Sequence, residues 1–281
     1  MMDVLAQLVV WLNGLANALG RLLLAPVGVS PGWLSATVIA VVTGVLLLLV
    51  FKYTSNQRAI KRVRNDINAN LLALKLFKDS AALAVASQGR ILWGAVRLLV
   101  LALVPMAIMS VPVLLILGQL SLWYQQRPLA IGEDAVVTVK LNGAAADPLP
   151  EVSLRPTDAV EITVGPVRVS SKREVCWNVR ACQPGYHRLA FRVGDLAIDK
   201  ELAVGDGYMR VSARRPQRDW EAVLRYPEEQ PFGPDSPVRS IDIDYPAHSS
   251  WVSGTDWWLI YWFVASMVAG FCFRRVLSVN V

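Results

Sequence analysis

The residues able to do chemistry in this 281-residue chain are few and badly spaced for it. His187 and His248 are the only histidines, and neither has a cysteine or histidine at ligand spacing, so a zinc site and a Ser-His-Asp arrangement have little support. No GxxxxGK[ST] or GxGxxG segment is present to cradle a phosphate. Cys176 and Cys182 stand six apart in what reads as one strand. Extended, they would be about 20 Å apart, against roughly 4.4–6.8 Å between the Cα atoms of a disulfide. With Cys272 they are read as structural free thiols. Asp235, Asp242 and Asp244 could be assembled into a calcium site, but strand alternation points the last two to solvent. The expectation is a protein that is not an enzyme and holds neither cofactor nor metal.

What remains is charge, and its distribution is uneven. Residues 52–97 carry nine basic and two acidic groups, whereas 121–255 carry sixteen and eighteen. Hydrophobic residues make up 54% of the chain, above the roughly 45–50% of soluble domains. The segments 34–51, 98–120 and 257–273 contain no charged residue. Each is close to the roughly 17–25 residues that cross a bilayer as a helix. The positive-inside rule then places 53–96 and the C-terminus, with Arg274 and Arg275, in the cytoplasm. It places the N-terminus and 124–255 outside, as in a bacterial inner-membrane protein. The first thirty residues lack the basic n-region of a secretory signal and are expected to be retained.

The elements follow from periodicity. Leu5, Leu8, Leu12, Leu15, Leu19 and Leu22 recur at spacings of three and four, opposite Asp3, Gln7, Gly14, Asn17 and Arg21. Residues 1–26 are therefore predicted to be an external amphipathic helix lying in the membrane interface, with a partly buried fourth span as the alternative. A first span covers 33–52. Residues 53–96 form a cytosolic antiparallel helical hairpin, with an apolar stripe of Ile60, Val63, Ile67, Leu71 and Leu74, and a turn and N-cap at Lys78-Asp79-Ser80. Its basic face, Arg58, Lys61, Arg62 and Arg64, reads as a topological signal and lipid contact, or as a docking face for ribosome or partner.

A second span covers 97–123. Pro105 and Pro112 are expected to interrupt it and leave a polar notch beside Ser110, with Arg97 either snorkelling to lipid phosphate or standing at the notch's cytosolic mouth. Residues 124–213 alternate apolar and polar with period two, with Trp177, Val139, Val179, Leu189 and Phe191 as candidate core, and predict an all-β Ig-like sandwich of about seven strands. Residues 214–255 read as a Pro-rich connector back to the membrane, with a candidate helical turn around Trp220 and a short strand at Ile241 and Ile243, 256–273 as a third span and 274–281 as a cytosolic tail. In the third span Ala265, Ser266, Ala269 and Gly270 form overlaid small-xxx-small pairs that would let a neighbouring helix approach closely.

This order of parts resembles the three-span core of the Oxa/YidC membrane-insertase superfamily. The compact branch, with the ER membrane complex core insertase subunit and archaeal homologues, is the nearest in layout. Residues 1–123 and 252–281 carry the resemblance, with Lys52-Tyr53-Thr54-Ser55-Asn56-Gln57 leading into the hairpin. It implies a groove open to the cytosol and guarded by the hairpin, bounded here by Arg97, Pro105, Ser110 and Pro112. The first span lacks a charge, the hairpin lacks methionine, and the β-domain stands between the second and third spans. The function expected is a non-enzymatic insertase-like or assembly factor; the alternative is a membrane-anchored adaptor whose external sandwich binds a partner protein. Membrane lipid, client or partner membrane proteins and a ribosome contact are the partners expected, and nucleic acid is not.

Overall fold

The structure, a computed structural model, describes residues 2–76, 81–144, 147–250, 252, 257–277 and 279. In chain order the elements are α1 (Met2–Leu23), α2 (Gly32–Thr54), α3 (Gln57–Leu76), α4 (Ala81–Tyr124), β1 (Asp134–Leu141), β2 (Val152–Leu154), β3 (Val160–Val169), β4 (Glu174–Ala181), β5 (Gly185–Val193), β6 (Leu196–Val204), β7 (Arg214–Pro216), α5 (Trp220–Arg225), β8 (Val238–Ile243) and α6 (Trp257–Phe273). The chain divides into two compact units: residues 1–36 with 114–261, and residues 37–113 with 262–281.

In the first unit all strand ladders are antiparallel. They form a five-stranded sheet in the order β3-β4-β1-β8-β7 and a three-stranded sheet in the order β2-β5-β6. Alternation drives the packing: Val137, Val139, Val175, Trp177 and Val179 on one sheet and Leu189, Phe191 and Val193 on the other are at most 2% exposed and share one core. The Trp177 and Phe191 rings meet edge to face at 5.7 Å. Trp177→Ala is expected to cost about 3–5 kcal/mol, because the indole loses both its transfer energy and its cavity. A fall in the thermal midpoint of β-sheet circular dichroism would register it, and an unchanged midpoint would refute this inward face.

Residues 214–250, expected as a connector, belong to the fold. The expected helical turn at Trp220 and short strand at Ile241 and Ile243 are present as α5 and β8, but β8 lies inside the sheet between β1 and β7, with Ile241 and Ile243 buried, and β7 joins it. Among the described residues six strands lie within 124–213, where about seven were expected, and β7 and β8 bring the total to eight. Asp242 and Asp244 point away from that core as alternation required; Asp242 is held by Arg214 at 2.6 Å and Lys140 at 3.1 Å. No group of three metal-ligating side chains occurs among the described residues.

In the same unit α1 presents the inverse of a soluble amphipathic helix. Asn13 is 4% exposed, while Leu8, Leu15, Leu19 and Leu22 are 51–75% exposed. The polar side is turned to protein and the leucines are left uncovered.

The second unit is helical. α2 and α4 are long and apolar enough to cross a membrane. α6, an apolar helix of 17 residues, sits at the short limit. α4 runs unbroken for 44 residues through both Pro105 and Pro112, about 66 Å at 1.5 Å per residue. The expected interruption does not occur, and no helix boundary separates hairpin from span at residue 97. Each proline removes one N–H, but its fixed φ of about −65° is itself helical, so the helix runs on through both. Asn56 Oδ1 accepts from the Ala59 N–H at 3.1 Å and starts α3, whose buried Val63 and half-buried Ile67 lie against α4 at Gly94. The expected turn at 78–80 lies outside the described residues.

Candidate functional site

The second unit contains a cleft of about 480 Å³ bounded by α2, α4 and α6. Gly44, Leu48 and Phe51 of α2 form one wall, and Met106, Met109 and Ser110 of α4 a second. Trp262, Ser266, Met267 and Phe271 of α6 close the third side. Its few polar groups are already satisfied. Ser110 Oγ donates to the Ala107 carbonyl at 2.7 Å, Ser266 Oγ to the Phe263 carbonyl at 3.0 Å, and the Trp262 indole N–H to Thr43 Oγ1 at 3.0 Å. The surface is apolar and, with three of the chain's six methionines, adaptable.

Close approach of α2 and α6 depends on a glycine. A Cβ built on Gly44 would fall 2.3 Å from the Ser266 carbonyl oxygen, so no larger residue fits without moving backbone. Ser266 and Ala269 are each 7% exposed, and Ala265 and Gly270 are half-buried. Gly44→Val is expected to separate the two helices. A disulfide-trapping pair at Leu47→Cys and Met267→Cys should then cross-link less than in the parent by several-fold, whereas equal trapping would contradict this packing.

Of the residues expected to bound a groove, only Ser110 lines the cleft. Pro105 is buried and Pro112 half-buried, and neither contributes to the lining. Arg97 is exposed on α4, away from it. Arg58, Lys61 and Arg62 are exposed on α3, and Arg64 is half-exposed. The methionine lining was not anticipated, although Met106, Met109 and Met267 all stand inside apolar runs where leucine is the commoner choice.

The first unit holds a buried polar network. From α1, Asn13 donates to the Val223 carbonyl at 2.7 Å and Asn17 to the Pro227 carbonyl at 2.6 Å. Asn17 Oδ1 accepts from Gln119 at 2.6 Å and from Arg210 at 3.2 Å. Arg210 pairs with Glu228, which also receives Arg21 at 2.8 Å. The Arg210 and Glu228 side chains are 7% and 4% exposed. Asp219 caps α5, against which this face of α1 packs.

Lys200 and Ser212 invite comparison with a hydrolytic Ser-Lys dyad, since Nζ lies 3.3 Å from Oγ. The surroundings argue otherwise. Lys200 is 0% exposed; its Nζ also donates to Glu229 at 2.5 Å and to the Ser212 carbonyl at 2.5 Å. Ser212 Oγ itself donates to Glu229. Burial pulls the Lys200 ammonium below the usual lysine range, and Glu229 opposes that shift. A lysine clasped by a carboxylate and sealed from solvent lacks both the free lone pair and the access that a general base needs.

Comparison with protein-family models, with curated proteins and with solved structures gives no match to the chain. The functional reading therefore rests on the site itself.

Three of these buried polar residues carried a signal. Lys200 follows Ile198 and precedes Leu202 and Val204 at period two, which places a lysine on the inward face of β6. Asn13 and Asn17, four apart on α1, share one side of the helix and announce a polar contact surface. Their partners, Val223, Pro227 and Gln119, carried none.

Proposed function

We propose that this chain is an integral membrane protein of three spans, α2, α4 and α6, with α3 and the start of α4 as a cytosolic hairpin. On this reading the Ig-like β-unit and α1 lie on the extracytoplasmic side. We infer that it is a non-enzymatic, insertase-like assembly factor of Oxa/YidC type that receives apolar segments of other membrane proteins in the cleft between the spans. The cleft carries this reading: a methionine-rich apolar surface of about 480 Å³, whose two hydroxyls donate to their own helices, suits many different apolar helices and demands none of them. The uncovered leucine face of α1 fits an interfacial helix.

Met109→Trp would fill the cleft without touching the hairpin. Cells carrying it should lose several-fold in the abundance of short-tailed membrane proteins while the variant itself accumulates normally. Unchanged client abundance would sink the insertase reading. The adaptor alternative has one observation of its own, a concavity of about 420 Å³ on the outer face of the five-stranded sheet, lined by Thr138, Arg214, Tyr226, Asp242 and Asp244 among others. Loss of a single complex in Asp244→Lys cells, with Met109→Trp silent, would favour it.

Orientation is tested with the native thiol of Cys182, which is exposed. An impermeant maleimide should label it in intact cells. A cysteine at the exposed Asn65, in a Cys182→Ser background, should react only after permeabilisation. The opposite pattern reverses the topology.

A further inference from the structure

We propose that the base of the α3–α4 hairpin binds anionic phospholipid headgroups, with Arg90 and Arg97 holding phosphate on either side of the Trp93 ring. The proposal rests on the membrane reading above, in which α4 enters the bilayer just beyond Arg97.

Level and face are both given by packing. A Cβ on Gly94 would fall 2.6 Å from Ile67 Cγ1 and 3.8 Å from Val63 Cγ1, so the turns of α3 around these residues stand beside the turn of α4 that carries Trp93. Ile60 and Val63 are buried, which leaves Arg58, Lys61 and Arg62 exposed on the opposite side of α3. On α4, spacings of three and four set Arg90, Trp93 and Arg97 on one stripe; all are exposed, Trp93 to 70%. Among the described residues none of these five cations enters an ion pair. Only two acids occur in 52–97.

Unpaired cations at this density call for an anionic partner, and guanidinium groups match phosphate geometry with paired N–H donors. The surroundings select lipid over a nucleic-acid backbone. Leu92 and Leu99 are 69% and 62% exposed beside the arginines, and residues 98–120 carry no charge. An uncovered indole at the edge of such a run is the arrangement that sits at headgroup level, where apolar and phosphate surfaces adjoin. A nucleic-acid backbone would cover the cations and leave the leucines wet.

The test uses the full-length protein in phosphatidylcholine bilayers with trace spin-labelled phosphatidylglycerol or phosphatidylcholine. Electron spin resonance reads the fraction of each label restricted by the protein. Phosphatidylglycerol should be preferred by about fivefold or more, and the preference should weaken with added salt. R90Q/R97Q should bring it close to parity, and R90K/R97K, which keeps the charge, should retain most of it. Equal restriction of both lipids by the parent, or a preference that survives R90Q/R97Q, would overturn the proposal. So would displacement of phosphatidylglycerol by a labelled RNA oligonucleotide. A chain that restricts neither lipid is not in the bilayer, an outcome that refutes the membrane reading itself and is distinct from restriction without selectivity.

Discussion

Replacing Glu228 by alanine is expected to destabilise the first unit by about 3–5 kcal/mol, because it strands the Arg210 guanidinium at 7% exposure without its counter-ion. Two further nitrogens of that side chain, Nε and Nη1, already have no hydrogen-bond partner among the described residues. With the carboxylate gone, the remaining partners are the neutral Oδ1 of Asn17 and Oε1 of Gln119. The same substitution removes Arg21 from its partner, but that side chain is 64% exposed and its pair is worth little by itself. Because the network joins α1 to α5 and the segment after it, the variant should also release α1. Limited proteolysis cutting between α1 and α2 in Glu228→Ala but not in the parent would show this. As a reference, Glu133→Ala breaks a pair whose side chains are 36% and 28% exposed and should cost under about 1 kcal/mol. Equal losses in the two variants would remove the special standing given to Arg210.

Glu229→Ala should be comparably severe, about 3–5 kcal/mol, since it leaves the fully buried Lys200 ammonium with only the Ser212 hydroxyl and the Glu201 and Ser212 carbonyls. Lys200→Met, which removes the charge that needs a partner, should cost much less, and the double variant should recover most of the loss. The pH dependence has a definite sign. Burial puts the folded pKa of Lys200 below its ordinary value, so between the two values the unfolded chain binds the extra proton. The penalty for the charged form is full below the folded pKa and is relieved as pH rises toward the ordinary lysine value. Glu201 acts in a different window: burial, then Glu228 and Glu229, raise its carboxyl. The stability it contributes is complete below the ordinary glutamate pKa and is lost as pH rises through the raised one. Thermal midpoints across the alkaline range should climb in the parent and stay flat in Lys200→Met. A parallel climb in both would assign it to another group.

The contrast between the two units bears on function. In the first unit charges are placed inside and paired. The cleft of the second unit contains no charged side chain, and its hydroxyls bond to their own helices. A surface of that kind discriminates by shape and apolarity rather than by charge.

Sequence periodicity was enough to locate α1, the apolar helices, the basic helix α3 and the strands around Trp177, because each is specified by its own short-range pattern of apolar and polar residues. The inward positions of Val139, Trp177, Val179, Leu189 and Phe191 followed from period two alone. Tertiary structure decided the rest. The short strand at Ile241 and Ile243 was legible as β8, but only pairing with β1 and β7 places it inside the sheet rather than in a connector, because strand partners are set by tertiary contacts. The helical run through Pro105 and Pro112 was equally hidden, since a proline removes one donor but still accepts a helical φ, and the sequence rule counts only the lost donor. The cleft draws its third wall from α6, more than a hundred residues beyond α4 in the chain, so no spacing rule could bring Met109 to Met267. Arg210 and Glu228 look like ordinary surface charges in sequence, and their weight comes from burial, which is a property of the folded arrangement and not of either residue.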